Sequence, residues 1–328
     1  MKNSLFDLSK NYSYIVDASY IIFCSAASAF KDYVYQSDIL KSDLNKDFDP
    51  TIDPEFNDLF YKKFCRMVIG PVKQRVPFTY SKSNYIFTLD CPRNNIWRRD
   101  VYPEYKLTRD AASHEKDQFN IKKVFQYAYN VIIPSFCDET GSIVIKSDYA
   151  ESDDIIAVLC KKLQQESDDN YIIILSSDRD MVQLHSDRVM IVTAQNDLRE
   201  PKKEIEKMIN TKGIKEDITA EDFLLFKIII GDGSDNIPGI KKRFGPKSAY
   251  KLIQDKSKES LKSLLKEDIN ILNSFKRNKK IISFKEIPAY IEEEILRNID
   301  EAFANKPEEA KTVISEASSG SDLIKDLI

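Results

Sequence analysis

Three short apolar runs in this chain lead directly to aspartates. One ends at Asp17, a second at Asp90, and a third is followed after two serines by Asp178 and Asp180. The runs are residues 13–16, 85–89 and 171–175, and such stretches of β-forming residues predict strands buried in a mostly parallel sheet. Because open α/β sheets bind their ligands beyond the carboxyl ends of the strands, we expect these carboxylates to meet at one edge.

A second group of acids follows a fourth apolar run, residues 143–145. Glu151, Asp153 and Asp154 come just before apolar residues that are spaced as one face of a helix. They could simply complement the helix dipole, where each would contribute about 0.3–1 kcal/mol. That explanation accounts poorly for so many carboxylates at one sheet edge, because like charges repel and raise each other's pKa.

Divalent cations would relieve this repulsion. Oxygen ligands without His or Cys favour Mg²⁺ or Mn²⁺, and a wide acidic cluster suggests two ions that clamp a phosphodiester. One ion would lower the pKa of a bound water and generate hydroxide near neutral pH, while both would stabilise the negative charge of the transition state. The acids therefore predict hydrolysis of a phosphate ester.

The composition excludes several other classes of protein. The chain of 328 residues has five scattered cysteines and two histidines, which leaves little material for a disulfide framework, a zinc site or a serine triad. No apolar run approaches the length of a membrane span, and Asp7 and Asp17 argue against an export signal. We therefore expect a monomeric cytoplasmic protein, in the host cytoplasm if it is viral, without a membrane partner.

A net charge of -4 would by itself argue against a nucleic-acid partner, but the basic residues are clustered. Residues 95–109 combine guanidinium and ammonium groups with aromatic rings, a combination that can hold the phosphates and unstacked bases of a single strand. The alternative is a solvated basic loop with Trp97 and Tyr102 packed in the core. A second basic cluster lies between residues 241 and 251.

From Pro201 the composition becomes helical and rich in lysine, which suggests a boundary. A helix is predicted from a capping box at Thr219 to Ile230, followed by a glycine-bearing loop and a second helix with Pro246 in its first turn. Such a helix, loop and helix can present backbone N–H groups to a duplex phosphate, although an ordinary αα-turn would look the same. The glycine spacing fits neither a P-loop nor an EF-hand.

Five motifs in this order resemble the flap endonuclease family of 5′ nucleases, with the T-even bacteriophage ribonuclease H branch the most similar. The motifs are residues 16–19, 89–106, 149–154, 176–180 and 231–239. The resemblance implies an α/β nuclease core over residues 1–200 with an arch region at about 93–125. It also implies a helical DNA-binding part over 201–305, with a helix-hairpin-helix-like motif at about 220–255, and a flexible tail over 306–328.

The resemblance also implies roles for individual residues. A first metal ion would be held by Asp17, Asp90, Glu151, Asp153 and Asp178, and a second by Asp180, Asp232 and Asp235; Asp154 matches a further acid of the same motif. Lys106 would steady the scissile phosphate as a catalytic residue, together with Arg98 and Arg99. The nucleic-acid contacts would be Trp97, Tyr105, Arg109, Lys241, Lys242, Arg243, Gly245, Lys247 and Ser248.

The implied activity is cleavage of 5′ flaps, single-strand/duplex junctions and RNA–DNA primers during DNA replication by an enzyme with two Mg²⁺ ions, for which Mn²⁺ can substitute. Single-strand-binding protein and a sliding clamp are the implied protein partners. One departure concerns the hairpin, where some members hold K⁺ beside a Gly-hydrophobic-Gly sequence; here Arg243-Phe244-Gly245 replaces it. The alternatives are a PIN-like ribonuclease, which would not predict the hairpin, and a non-catalytic subunit that binds DNA junctions.

Overall fold

The computed structural model describes residues 11–37, 39, 44–73, 84–108, 118–214 and 217–306. Its centre is a six-stranded sheet with the strand order β3-β2-β1-β4-β5-β6. The first five strands are parallel and β6 is antiparallel to β5, which confirms the predicted mostly parallel α/β sheet. The strands are β1 Asn11–Asp17, β2 Asn84–Leu89, β3 Ile143–Lys146, β4 Asn170–Leu175, β5 Val189–Val192 and β6 Leu198–Arg199.

The strand order places β1 beside β4 in the middle of the sheet. The chain moves outward from β1 through β2 to β3 and then crosses back to β4, so the direction of winding reverses between β1 and β4. Ligands of doubly wound sheets bind at such a switch point. The helices that precede β4 are α1 Ala18–Gln36, α2 Pro54–Lys73, α3 Arg98–Val101, α4 Ile121–Tyr127, α5 Ile133–Thr140 and α6 Ser152–Glu166.

Alternate residues of the strands enter two separate cores. Tyr14 and Val16 of β1 face the core that contains α1, α2 and α5, whereas Ile15 faces the core that contains α6. This alternation follows from the two-residue period of a strand, and the helices on both faces explain why the strands are apolar throughout. On one face of the sheet, α1 continues to Gln36 and α2 begins at Pro54.

The C-terminal helices form a third core of their own. The predicted capping box is confirmed, with Thr219 and Asp222 bonded reciprocally, and Pro246 stands in the first turn of its helix as predicted. The last helix returns to the sheet, where Ile291, Ile295 and Ile299 pack with α6. These helices are α7 Pro201–Ile209, α8 Ala220–Ile230, α9 Pro246–Gln254, α10 Glu259–Glu267, α11 Ile269–Ile282 and α12 Ala289–Ala304.

A fourth, small core joins the segment after β2 to the C-terminal helices. Cys91, Ile96 and Tyr105 pack there against Ile228 of α8 and Ile281 of α11. The basic segment that follows Asp90 is therefore fixed to both parts of the protein. None of the helices in the described part of the chain is long and apolar enough to cross a bilayer. The predicted tail from residue 307 onward lies outside the described residues.

Candidate active site

Three neighbouring strands deliver aspartates to the same edge of the sheet. Asp17 pairs with Thr88 of β2, so Asp90 lies two residues beyond it, and Val16 pairs with Leu175 of β4, so Asp178 lies three residues beyond that strand. Each side chain is held in place. The Asp17 carboxylate accepts hydrogen bonds from the Ser176 hydroxyl (2.8 Å) and, as the N-cap of α1, from the backbone N–H of Tyr20 (3.2 Å).

The carboxylates of the other two aspartates are also oriented by hydrogen bonds. Asp90 accepts hydrogen bonds from the Ser19 hydroxyl (2.7 Å) and from the backbone N–H of Ser152 at the start of α6 (2.9 Å). Asp178 accepts one from the backbone N–H of Asp180 (2.7 Å). Ser176 and Ser19 are therefore part of the site, because their hydroxyls fix the carboxylates of Asp17 and Asp90.

Crowding of the carboxylates is visible in their pKa values. Burial, together with the charges of Asp90 and Asp178, raises the pKa of Asp17 to about 7. The pKa of Asp153, in the first turn of α6, is raised well above its ordinary value by burial and by the charges of Asp178 and Asp17. Acids that are hard to ionise together need a nearby cation to remain ionised at neutral pH.

Glu151 is the N-cap of α6 and belongs to the same edge, but it already has cationic partners. Its carboxylate accepts hydrogen bonds from Lys106 Nζ (2.6 Å), the Tyr105 hydroxyl (2.9 Å) and Arg98 Nη1 (3.1 Å). Burial alone would raise the pKa of Glu151, but the charges of Lys106 and Arg98 outweigh it and hold that pKa below the ordinary value. Glu151 is thus ionised even without a metal ion.

The predicted roles of Asp154 and Arg98 need correction. The Arg98 guanidinium bonds both Asp154 oxygens at 2.7 Å, and its Nε donates to the carbonyl of Ile281 in α11 (2.8 Å). Arg98 is 3% exposed and Asp154 is fully buried, so the first cannot touch a substrate and the second is not free to bind an ion. The pair instead positions Glu151 and attaches α11 to the core.

The aromatic residues of this segment were also assigned wrongly. Trp97 is 2% exposed and its Nε1 donates to Asp154 (2.9 Å), so its ring cannot stack on a base. Tyr105 is 4% exposed and its hydroxyl is bonded to Glu151. Trp97 lies in the core, as the alternative has it, and its indole N–H finds its partner there, but the basic loop is not solvated throughout, since Arg98 is buried as well. Arg99 is half-buried, and Arg109 lies outside the described residues.

Asp180, Asp232 and Asp235 form a second group, and all three adjoin a lysine. Asp232 and Asp235 lie on the loop after α8, which a two-way backbone bridge between Asp232 and Ile237 closes. Gly231 has a positive φ of 74°, and any Cβ there would collide with the Ile237 carbonyl. A glycine is therefore required where the loop turns back on itself.

The sequence did not reveal the lysine that connects this second group. Lys227 of α8 bonds Asp180 Oδ1 at 2.9 Å and also contacts Asp232 Oδ2. Lys106 likewise approaches Asp235, with its Nζ 3.9 Å from Oδ2. A signal for Lys227 was present, since it is the single charged residue in the apolar stretch 223–230. An isolated lysine in such a stretch usually has a buried carboxylate partner.

The hairpin segment lies across a cavity from these acids. The cavity has a volume of about 650 Å³, and its lining includes Asp178, Lys227 and Asp232 on one side and Gly245 and Pro246 on the other. A Cβ at Gly245 would meet no described atom within 4 Å, so this glycine leaves space open above the start of α9. The exposed or half-exposed side chains around it are Lys241, Lys242, Arg243, Lys247 and Ser248.

Arg243, which replaces a glycine of the family pattern, keeps the conformation that glycine favours. Its φ is 61°, in the left-handed region that non-glycine residues rarely adopt. The Arg243 side chain is therefore held on a backbone that a glycine would adopt more easily.

The donor set suits a hard divalent cation, although the carboxylates have other partners in this structure. Among the described residues, no three Asp, Glu, His or Cys side chains are arranged to ligate one ion as they stand. Hydroxyls, backbone amides and the cations Arg98, Lys106 and Lys227 bind them instead. The oxygen ligands and the raised pKa values of Asp17, Asp153 and Asp180 fit Mg²⁺ or Mn²⁺.

Comparison with known proteins adds independent information. Residues 57–219 match the family model for the 5′-3′ exonuclease N-terminal, resolvase-like domain. The chain is 31% identical to a 5′-3′ exonuclease of Mycoplasmopsis pulmonis over 241 residues, which are 67% of this chain and 73% of that protein. It is 30% identical to a 5′-3′ exonuclease of Buchnera aphidicola over 53% of this chain, but the match spans only 54% of that relative.

Solved structures show the same fold. A bacteriophage T5 flap endonuclease, in a pseudo-enzyme–product complex with DNA and metal ions, matches 90% of this chain and all of its own chain. The TM-score is 0.59 and the sequence identity 18%. A T5 protein co-crystallised with metal ions matches 97% of both chains with a TM-score of 0.56, also at 18% identity. At this identity the likeness concerns the fold, including the helical C-terminal part.

Proposed function

We propose that this chain, which belongs to the 5′-3′ exonuclease family, is a metal-dependent nuclease that acts as a 5′-3′ exonuclease and flap endonuclease. The observation that carries the proposal is the meeting of Asp17, Asp90 and Asp178 at the ends of three adjacent parallel strands. Asp153 and Glu151 of α6 adjoin the same edge. Such a cluster is suited to hydrolysis of a phosphodiester.

Two groups of carboxylates favour two ions, with Mg²⁺ as the natural one and Mn²⁺ as a substitute. Asp17, Asp90, Glu151, Asp153 and Asp178 would hold the first, and Asp180, Asp232 and Asp235 the second. When bound, the ions would activate a water and stabilise charge on the phosphate being cleaved. The serines that bond Asp17 and Asp90 keep these carboxylates directed toward the ions, and the cations around Glu151 keep it deprotonated.

Lys106 is the basic residue best placed to steady the scissile phosphate. Its ammonium lies between Glu151 (2.6 Å) and Asp235 (3.9 Å), and so between the two groups of acids. Its side chain retains 14% exposure, unlike that of Arg98 with 4%. An ammonium in this position can reach a bound phosphate oxygen while it remains paired with Glu151. We also keep Arg99, which lies in the same segment, as a proposed catalytic residue.

The substrate we propose is DNA with a 5′ flap or a single-strand/duplex junction. The hairpin loop and the start of α9 share the cavity of about 650 Å³ with the acids, and Lys242 and Lys247, next to its lining in sequence, are exposed. Such a surface would bind the backbone of a duplex whose 5′ strand enters the site. The T5 relative, whose complex contains DNA and metal ions, is consistent with this arrangement.

Finer assignments follow from the sequence motifs. We propose activity on RNA–DNA primers in replication, as expected for the ribonuclease H branch of T-even bacteriophages, and recruitment by single-strand-binding protein and a sliding clamp. We also propose K⁺ binding at the hairpin, as the resemblance to the family implies. The domain organisation we propose keeps residues 1–200 as the nuclease core, with the arch at about 93–125, and 201–305 as the DNA-binding part.

A non-catalytic junction-binding subunit is the main competing function, and cleavage decides between the two. A 5′-labelled flap should be cut by the protein with Mg²⁺ and not with a chelator. Asp178→Asn should abolish cleavage and leave flap binding nearly intact, because only a carboxylate of the metal site changes. Asp187→Asn, which removes the same charge at the opposite edge of the sheet, should cleave normally. Binding without cleavage by the wild-type protein would support the subunit instead.

A further inference from the structure

Lys227 is a buried cation inside the group of acids assigned to the second ion. It lies on α8 among Phe226, Ile228 and Ile229 and is only 3% exposed. Its ammonium bonds Asp180 Oδ1 at 2.9 Å and contacts Asp232 Oδ2. Two carboxylates from different parts of the chain therefore share one ammonium, which is the arrangement they would also make around a divalent ion.

The two carboxylates reach Lys227 from different elements. Asp180 lies after β4, whereas Asp232 begins the loop after α8, where its Oδ1 accepts hydrogen bonds from the backbone N–H (2.8 Å) and the hydroxyl (2.6 Å) of Ser234. One ammonium thus joins two acidic side chains that are each fixed by their own segment.

We propose that Lys227 is an internal counter-ion that competes with the second divalent ion for Asp180 and Asp232. The inference rests on the proposed function, because it concerns the ion pair that the function requires. Two like charges within a few ångströms of each other repel strongly in a poorly solvated site. Without a substrate, the second ion must therefore bind beside Lys227 or displace it, and it binds more weakly than the first.

The cavity gives the ammonium another possible partner. Lys227 lines the space of about 650 Å³ between the acids and the hairpin, where the phosphate of a DNA substrate would lie. A phosphate in that space can attract the ammonium and leave both carboxylates to the ion. The competition would then make binding of the second ion depend on the presence of substrate.

Titration of the DNA-free protein with Mn²⁺ by calorimetry tests this competition. Lys227→Met should tighten the weaker Mn²⁺ site by about tenfold or more, since it removes a unit charge next to the ligands. Lys161→Met is the control, because it removes a charge from an exposed ion pair between Lys161 on α6 and Glu292 on α12 and should leave both affinities unchanged. Equal Mn²⁺ affinities in Lys227→Met and wild type would overturn the proposal.

Stability measurements keep the test decisive if the variant folds poorly. In chelator, Lys227→Met should melt at a lower temperature than wild type, and Mn²⁺ should raise its melting temperature more than that of wild type. Adding Asp180→Asn to Lys227→Met should restore stability in chelator and remove the gain in Mn²⁺ affinity. If Mn²⁺ raised the melting temperatures of the variant and the wild type equally, Lys227 would not compete with the ion. Wild-type flap cleavage tests the proposed function separately, whichever result this titration gives.

Discussion

Lys106 has a backbone conformation that few non-glycine residues adopt, with a φ of 56°. Its backbone N–H donates to the carbonyl of Asp235 (3.0 Å), and its ammonium bonds Glu151. The left-handed backbone therefore directs the residue between the two groups of acids. Strained residues of this kind persist only where the surrounding contacts hold them, and they are common at functional sites.

Replacement of Lys106 should affect catalysis more than binding. Lys106→Met keeps the length of the side chain but removes the charge, and we expect the single-turnover rate on a 5′ flap to fall by about 10²-fold or more. The dissociation constant should change by less than about fivefold, since one phosphate contact among many is lost. Single-turnover kinetics and fluorescence anisotropy measure the two quantities. An unchanged rate would remove Lys106 from the site.

At the scale of the elements, α11 holds the loop that carries Asp232 and Asp235. Asn278 is fully buried, and its Nδ2 donates to the carbonyls of Ile228 (3.0 Å) and Pro238 (2.8 Å), at the two ends of that loop. Arg277 lies over the ring of Tyr102, with its Cζ 5.2 Å from the ring centre. The helix therefore links the loop of the second group to the segment after β2.

Loss of the Asn278 amide should loosen this loop. Asn278→Ala removes a donor from two carbonyls and leaves that of Pro238 with the longer bond from Arg277 Nη2 (3.3 Å), and we expect the free energy of unfolding to fall by about 2–4 kcal/mol. Asn270→Ala, an exposed change in the first turn of the same helix, should cost less than about 1 kcal/mol. Urea denaturation compares the two. A similar small loss in both variants would mean that the bonds of Asn278 do not support the loop.

The elements themselves were largely predictable from sequence. The four apolar runs became β1 to β4, and the capping box at Thr219 and the proline at 246 marked helix starts correctly. Local patterns succeed here because a strand with both faces buried must be apolar throughout and because caps are local hydrogen bonds. The length of α1 depends on contacts that are not local, because residues just before α2 support its last turns, as where the Tyr33 hydroxyl donates to Asp53.

At the scale of the whole molecule, the last helix contacts the catalytic edge. Glu294 of α12 accepts hydrogen bonds from the Ser147 hydroxyl (2.7 Å) and the backbone N–H of Asp148 (2.9 Å), in the turn between β3 and α6. That turn leads directly to Glu151 and Asp153. The C-terminal helices thus contribute to the position of these acids as well as to the proposed DNA surface.

The stability of the metal-free protein should fall as the pH rises. Asp17 and Asp180 have folded-state pKa values of about 7 and about 6, above the ordinary value, so the folded protein binds more protons than the unfolded chain in this range. Their contribution is greatest near pH 4 and is lost as the pH rises through about 7. Asp232 has a lowered pKa, so it is ionised over this pH range and its contribution to stability does not fall as the pH rises.

Urea denaturation in chelator at about pH 5 and about pH 8 measures this effect, and we expect a loss of a few kcal/mol between them. Asp17→Asn should reduce the dependence, because an amide does not ionise, and saturating Mg²⁺ should reduce it as well, because an ion stabilises the deprotonated acids. Stability that rises with pH in chelator would show that the carboxylates are not crowded as described.

The sequence alone determined which residues carry charge at the strand ends, because the order of apolar runs and acids is written along the chain. It thereby indicated the α/β class, the metal chemistry and the family. Only the tertiary structure decided which of the charged residues face outward. Arg98, Asp154 and Trp97 satisfy one another in the interior, while Lys227 is brought between Asp180 and Asp232. The physical reason is that partners for buried polar groups come from distant parts of the chain, and spacing along the sequence does not encode them.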